Sequence, residues 1–123
     1  MSKTEKQKIG EIGENAACAL LVRRGHKILD RNYRKKWGEL DIVSWKKNKL
    51  YFIEVKTVSR VTKYLPEENV HQWKLKRLGR AIQTYLLEKK ISDETEWQFN
   101  VMAVFLDLKA KKIKIRTIED VVL

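Results

Sequence analysis

Asp41, Glu54 and Lys56 are the residues whose types and positions best suit chemistry. They lie on two segments, 38–45 and 50–57, that are rich in β-branched and aromatic residues. Two such segments separated by a short polar stretch are typical of a β-hairpin. Two carboxylates and a lysine held together on a hairpin could bind a divalent cation and act on a phosphate.

The loop of this hairpin determines which side chains face each other. If Lys47-Asn48 forms a two-residue loop, the pairing register of the whole hairpin follows. Asp41 then lies directly opposite Glu54. In the same register, Glu39 lies opposite Lys56. Because like charges at directly opposed positions destabilise a sheet, the two carboxylates predict a bound divalent cation.

Structural ion pairs offer a different interpretation of the same charges. Glu39 would pair with Lys56 across the hairpin. Arg31 or Arg34 would neutralise Asp41. Because ion-pair networks also gather charged residues in folded proteins, the hairpin alone leaves metal binding and structural pairing equally open.

Glu14 is a candidate for a third carboxylate at the same place. It lies in a helical segment whose small residues, Gly10, Gly13, Ala16 and Ala17, give one side that could approach a sheet closely. A third carboxylate over the sheet would complete an oxygen-rich site for Mg²⁺ or Mn²⁺. Alternatively, Glu11 and Glu14 only stabilise the first half of the helix or pair with neighbouring lysines. We prefer this structural interpretation for Glu11. Spacing alone does not decide Glu14.

The composition indicates a basic globular protein. Of its 123 residues, 43% are hydrophobic, and we interpret residues 1–123 as a single domain. A formal net charge of +11 favours polyanions such as nucleic acid, because neutralised phosphates release counterions. No apolar run reaches the ~20 residues that span a bilayer, and the charged N-terminus does not have the pattern of a secretory signal. We therefore expect a cytoplasmic protein with no membrane association.

Apolar periodicity predicts two helices and five strands in the order αβββαββ. The helices span about residues 4–24 and 67–90, and the strands span residues 26–35, 38–45, 50–57, 97–108 and 113–118. The apolar stripe of the first helix comprises Ile9, Ile12, Ala16, Leu20 and Val22. A three-stranded meander followed by a helical crossover predicts an α/β fold with a mixed β-sheet flanked by helices.

Several motifs along the chain form a recognisable pattern. They are Gly13-Glu14, Arg31-Asn32-Tyr33-Arg34, Gly38-Glu39-Leu40-Asp41-Ile42-Val43, Phe52-Ile53-Glu54-Val55-Lys56-Thr57, Lys74 to Leu78, and Tyr85-Leu86. This pattern resembles the YraN family of small bacterial proteins. That family is similar to the PD-(D/E)xK nuclease superfamily, particularly to archaeal Holliday-junction resolvases. The resemblance covers nearly the whole chain.

The resemblance implies a restriction-endonuclease-like core and a metal-dependent endonuclease acting on DNA, at branched or single-stranded sites. Asp41 and Glu54, with the Val55 carbonyl, would bind Mg²⁺ or Mn²⁺. Lys56 would assist catalysis, and Glu14 would supply a further carboxylate. Resolvases of similar fold act as dimers, which leaves a homodimer open. The residues expected to contact nucleic acid are Arg34, Lys35, Trp37, Lys74, Lys76, Arg77 and Arg80.

Gln98 and Asn100 depart from the family pattern, which usually has Arg-Phe-Asp at this point. If the replaced Arg or Asp supports the site, activity here is weakened or altered. Two alternatives to the nuclease therefore stay open. One is a catalytically weak or inactive nucleic-acid-binding module of the same fold, and the other is a protein partner within a larger recombination or uptake machine. The sequence does not decide between DNA and RNA.

Overall fold

The structure is a computed structural model that describes residues 3–59 and 72–123, with the side chains of these residues except 72–74. In chain order, the elements are helix α1 (Glu5–Arg23), strands β1 (Lys27–Lys35), β2 (Gly38–Lys46) and β3 (Lys49–Val58), helix α2 (Gln72–Glu88), and strands β4 (Glu96–Asp107) and β5 (Lys112–Ile118). The predicted order αβββαββ is confirmed. The first five residues of the second predicted helix, 67–71, lie outside the described residues.

The five strands form one mixed sheet with helices on both faces. The strand order is β1-β2-β3-β4-β5, in which β3 and β4 are parallel and all other neighbours are antiparallel. The parallel pair follows from the crossover through α2, since parallel strands need a long connection. The predicted α/β fold with a mixed, helix-flanked sheet is therefore confirmed.

The β2–β3 hairpin has the predicted two-residue loop. Lys47 and Asn48 both have left-handed backbones, with φ of 48° and 63°, as a type I′ turn requires. Pairing runs from Lys46 opposite Lys49 to Ile42 opposite Ile53, which confirms the predicted register over this stretch.

Helix α2 covers one face of the sheet with large side chains. Its residues Leu78, Ile82 and Tyr85 are buried against the sheet. The Phe52 ring, which is fully buried, makes edge-to-face contacts with Tyr85 and Trp97 at centroid distances of 5.6 and 5.5 Å. Aromatic pairs in this geometry contribute beyond their buried area, so this layer is the main apolar core.

Helix α1 covers the other face with small side chains, and its predicted apolar stripe was wrong at Ile12 and Val22, whereas Leu20 packs against the core. The buried positions are Gly13, Ala17 and Leu21, whereas Ile12 is 42% exposed and Val22 57% exposed. A Cβ built on Gly13 would lie 2.8 Å from the Cβ of Thr57 on β3 and closer still to its Oγ1. The helix approaches the sheet so closely that only a side without bulk fits, as the two glycines suggested.

Candidate functional site

A cavity of about 490 Å³ lies between the first half of α1 and strands β2 and β3. Glu14 lines it from the helix, Asp41 lines it from β2, and Glu54 and Lys56 line it from β3. We call it the carboxylate cavity. All four side chains predicted for metal binding and catalysis therefore line the same space.

Strand β2 is irregular at Asp41. Leu40 packs on the α2 side and Ile42 on the α1 side, although alternate residues of a regular strand share a face. Asn32, which the β1–β2 register puts opposite Asp41, has a left-handed φ of 53°. The Asp41 carboxylate accepts a hydrogen bond of 2.8 Å from the Val55 amide. At this irregular position, the side chain of Asp41 therefore bonds to the backbone of β3.

Burial and repulsion disfavour the ionised form of Asp41. Burial raises the pKa of Asp41 to about 8, with a further contribution from the nearby Glu54 charge, while the Val55 amide opposes the shift. A cation would reverse this balance, because an opposite charge favours the carboxylate form. The chemistry of the pair therefore fits a cation.

Glu54 and Lys56 form an ion pair at the end of β3. Glu54 is only 6% exposed, and its Oε1 lies 3.5 Å from the Lys56 ammonium. In the alternative interpretation from sequence, Lys56 was to pair with Glu39. The structure instead pairs Glu39 with Arg34 on β1, at 3.4 Å. The lysine is therefore held beside one of the two carboxylates.

Glu14 has a buried oxygen that finds no hydrogen-bond partner among the described residues. Its Oε1 is shielded from solvent, and the guanidinium of Arg31 lies 3.8 Å away. Burial raises the pKa of Glu14, and the charge of Arg31 partly offsets this rise. An acceptor that has lost water without gaining a donor is costly and calls for an explanation.

The three carboxylates do not close on a common point. Within residues 3–59 and 72–123, no three His, Cys, Asp or Glu side chains lie close enough to hold a metal ion together. Mg²⁺ typically binds one or two protein carboxylates and keeps several waters or substrate oxygens. Asp41 and Glu54 suit such a two-carboxylate site, with Val55 lining the same cavity.

The turn between β1 and β2 packs on α2 and brings predicted nucleic-acid contacts together. The Trp37 indole N–H donates to Thr84 Oγ1 at 3.1 Å, and the Arg80 guanidinium lies 5.0 Å from the Trp37 ring centre. Arg77 donates to the Trp37 carbonyl at 3.0 Å. Trp37 thus anchors the turn to the helix. Trp37, Arg77 and Arg80 form what we call the turn–helix surface, and Lys76 is exposed on the same helix.

The other predicted nucleic-acid contacts are not gathered at the turn–helix surface. Arg34 pairs with Glu39. Lys35 forms an ion pair of 2.8 Å with Glu88 at the end of α2. The side chain of Lys74 lies outside the described residues.

A second cavity, of about 630 Å³, adjoins the first and was not predicted from the sequence. Gly10 and Glu14 line both spaces. We call the second one the polar cavity, because amide and charged side chains dominate its lining: Lys3, Gln7, Glu11, Asn15, Arg31, Asn32, Arg34 and Glu39. Its amides had given no signal in the sequence, since isolated Asn and Gln residues are common on surfaces.

Gln98 and Asn100 have a structural role. Asn100 is buried, and its Oδ1 accepts hydrogen bonds from Gln98 Nε2 at 2.8 Å and from the Asp120 amide at 3.0 Å. Neither side chain is among the described residues that line the carboxylate cavity. These departures from the family pattern fasten the C-terminal segment to β4.

No helix in the described ranges is long and apolar enough to span a membrane.

Comparison with known proteins identifies a family. Residues 13–104 match the family described as Uncharacterised protein family UPF0102. A UPF0102 protein from Moorella thermoacetica is 39% identical over 119 residues, which cover 97% of this chain and 98% of the relative. UPF0102 proteins from Syntrophotalea carbinolica and Bacteroides thetaiotaomicron are 42% and 41% identical over 100 residues, or 81% of this chain. These matches cover 80% and 81% of the two relatives. The chain therefore belongs to the UPF0102 family, which is the YraN family that its motifs resemble.

Proposed function

We propose that this protein is a divalent-metal-dependent endonuclease that hydrolyses phosphodiester bonds in DNA. One observation carries the proposal: the buried Glu54 and the half-buried Asp41 line one cavity together with Lys56. Burying two like charges is costly unless they are paired or bind a metal. Groups kept under such strain in a cavity are typical of functional sites.

The chain's own groups have distinct tasks in this proposal. Asp41 and Glu54, with the Val55 carbonyl, would hold Mg²⁺ or Mn²⁺. The bound cation would polarise the scissile phosphate and lower the pKa of the attacking water. Lys56, which Glu54 holds at 3.5 Å, would neutralise charge that develops on the phosphate. The Val55 amide orients the Asp41 carboxylate through their hydrogen bond.

The basic surface would supply affinity for the DNA backbone. The net charge of +11 favours any polyanion. The turn–helix surface and Lys76 present exposed cations beside a half-buried tryptophan, and Lys74 precedes them in the same helix. Such contacts bind phosphates without reading sequence, so the affinity should fall steeply as salt is added.

Cleavage with matched variants tests the proposal. We would incubate four-way junction, flap, single-stranded and plasmid DNA with Mn²⁺ or Mg²⁺ and the parent protein, Asp41→Asn or Glu54→Gln. The exposed carboxylate Glu94 provides the control Glu94→Gln. We expect metal-dependent cleavage by the parent and the control, loss of at least about 100-fold in both site variants, and retained DNA binding. Cleavage at parental rates in either site variant would reject the site.

A binding module without catalysis is the alternative, and one observation favours it. The carboxylates of the described residues do not converge in threes, so the protein does not offer a cage of three carboxylates that would hold a cation without substrate. Calorimetric titration with Mn²⁺ separates the two functions. The nuclease requires affinity that Asp41→Asn and Glu54→Gln each reduce. A protein that binds DNA but shows no such metal affinity is a binding module.

A further inference from the structure

The polar cavity has the size and lining of a specific ligand site. Its volume of about 630 Å³ lies within the ~300–1,000 Å³ of small-molecule sites. Its wall combines charged groups with three side-chain amides, Gln7, Asn15 and Asn32. Amides carry both donors and acceptors, so they can pair with groups that present both.

The charges around the cavity balance each other. Lys3 pairs with Glu11. Arg34 lies 3.4 Å from Glu39, and Arg31 lies 3.8 Å from Glu14 in the same manner. A phosphate would have to compete with a carboxylate for each of these cations. A neutral group that forms hydrogen bonds meets no such competition, so the lining favours a ligand of that kind.

The amides of α1 keep donors available to a ligand. The Gln7 Oε1 accepts from the Thr4 amide, which leaves its NH₂ group for other partners. Asn15 Oδ1 accepts a hydrogen bond from Arg31 at 2.9 Å, which likewise leaves the NH₂ group of Asn15 to donate to other partners. A nucleobase edge offers carbonyl and ring-nitrogen acceptors to such donors.

The polar cavity adjoins the carboxylate cavity along a shared wall. Gly10 and Glu14 line both. In the β1–β2 register, Asn32 lies between the partners of Ile42 and Leu40 and is therefore level with Asp41. Asn32 lines the polar cavity and Asp41 lines the carboxylate cavity, so the two cavities meet at this level of the sheet. A nucleotide whose phosphate lies among the carboxylates would therefore have its neighbouring base next to the amides.

We propose that the polar cavity receives an unpaired nucleobase adjoining the phosphate that is cleaved. This inference rests on the proposed nuclease and names its substrate class. A base in an intact duplex keeps its Watson–Crick edge in pairing and cannot enter, whereas a base in a single strand, a branch point or a flipped nucleotide presents that edge. The substrate is therefore a nucleic acid with an unpaired base at the site of cleavage.

Binding to abasic oligonucleotides without metal tests this assignment. We would measure fluorescence anisotropy in EDTA with a labelled single-stranded oligodeoxynucleotide and with versions that each lack one base along the strand. The variant combines Asn15→Ala, which suits a helix, with Asn32→Gly, which accepts a left-handed φ. Gln83→Ala, an exposed amide on α2, is the matched control. Thermal unfolding would establish that the parent, the double variant and Gln83→Ala all fold. If the double variant did not fold, Asn15→Ala alone would take its place.

The assignment predicts one position at which loss of the base weakens binding by the parent and the control by about tenfold. In the double variant the same loss changes affinity by less than about twofold, because the contacts that read the base are gone. A parent that is indifferent to every missing base, or a double variant that keeps the parental ratio, overturns the base site. Neither result depends on cleavage, so metal-dependent cutting with either of them would retain the nuclease and reject only the base site.

Discussion

The two helices contact the same sheet in opposite ways. Helix α2 meets it through bulky side chains such as Leu78, Ile82 and Tyr85, which fill the space between them. Helix α1 meets it through Gly13 and Ala17, which bring the backbone close to the strands. Both the carboxylate and the polar cavity lie along α1.

This contrast separates stability from chemistry. The α2 side buries aromatic and aliphatic area, the main favourable contribution to folding. The α1 side includes the costly groups, the Asp41 carboxyl and the Glu14 oxygen that has no hydrogen-bond partner among residues 3–59 and 72–123. The apolar layer compensates for the cost of the site, so disturbances on the two sides should have different consequences.

Phe52→Ala should give the largest loss of stability and most directly tests the contrast. The fully buried ring packs against Tyr85 and Trp97, so its removal leaves a cavity that the layer cannot close. We expect the free energy of unfolding to fall by about 3–5 kcal/mol in urea denaturation. Phe105→Ala, at a half-buried phenylalanine on β4, should cost clearly less. Equal losses would show that the α2 layer has no special weight.

The hairpin could be predicted from sequence because its rules are local. Side chains on a strand alternate with a period of two, and the Lys47-Asn48 loop determines the register. The apolar stripe of α1 could not be predicted in the same way. Periodicity gives weight to large apolar residues such as Ile12. The small residues predicted that one side of α1 could approach the sheet, but only the structure shows that this side, with Gly13 and Ala17, is the buried one.

The site divides along the same line. Asp41 and Glu54 lie on one hairpin, so the sequence could predict that both would be near one place. The predicted direct opposition of the two is not part of the observed pairing, which ends at Ile42 opposite Ile53. The polar cavity depends on α1 crossing the sheet and on the left-handed Asn32, both of which are tertiary features. Asn15 and Asn32 carry no local signal that marks them as neighbours, so this part of the site required the structure.

Gly13→Ala sharpens the comparison from the α1 side. The added methyl would overlap Thr57, so helix or strand must shift, at an expected cost of about 1–3 kcal/mol. Gly10→Ala is the matched control, because no atom of the described residues beyond the helix's own nearby backbone lies within 4 Å of a Cβ at this position. It should stabilise the helix by roughly 0.5–1 kcal/mol. Urea denaturation of both variants measures the difference, and similar effects would contradict the close approach of α1.

The pH dependence of the free energy of unfolding measures the electrostatic cost of the carboxylate cavity. The expected effect is the smallest of the predicted changes in stability. The pKa of Asp41 rises from 3.8 to about 8 on folding, so between these values the native state holds a proton that the unfolded chain has lost. The stabilisation that the folded state gains by holding this proton is fully present below about pH 4 and is lost as the pH rises through about 8.

From about pH 6 to about pH 7, the free energy of unfolding of the parent should fall by about 1 kcal/mol more than that of Asp41→Asn, which has no proton to lose. Urea denaturation at both pH values measures this difference, with Glu94→Gln expected to follow the parent. Equal slopes in the parent and Asp41→Asn would mean that Asp41 is already ionised in the folded protein, and that the α1 side does not have the electrostatic cost that distinguishes it from the α2 side.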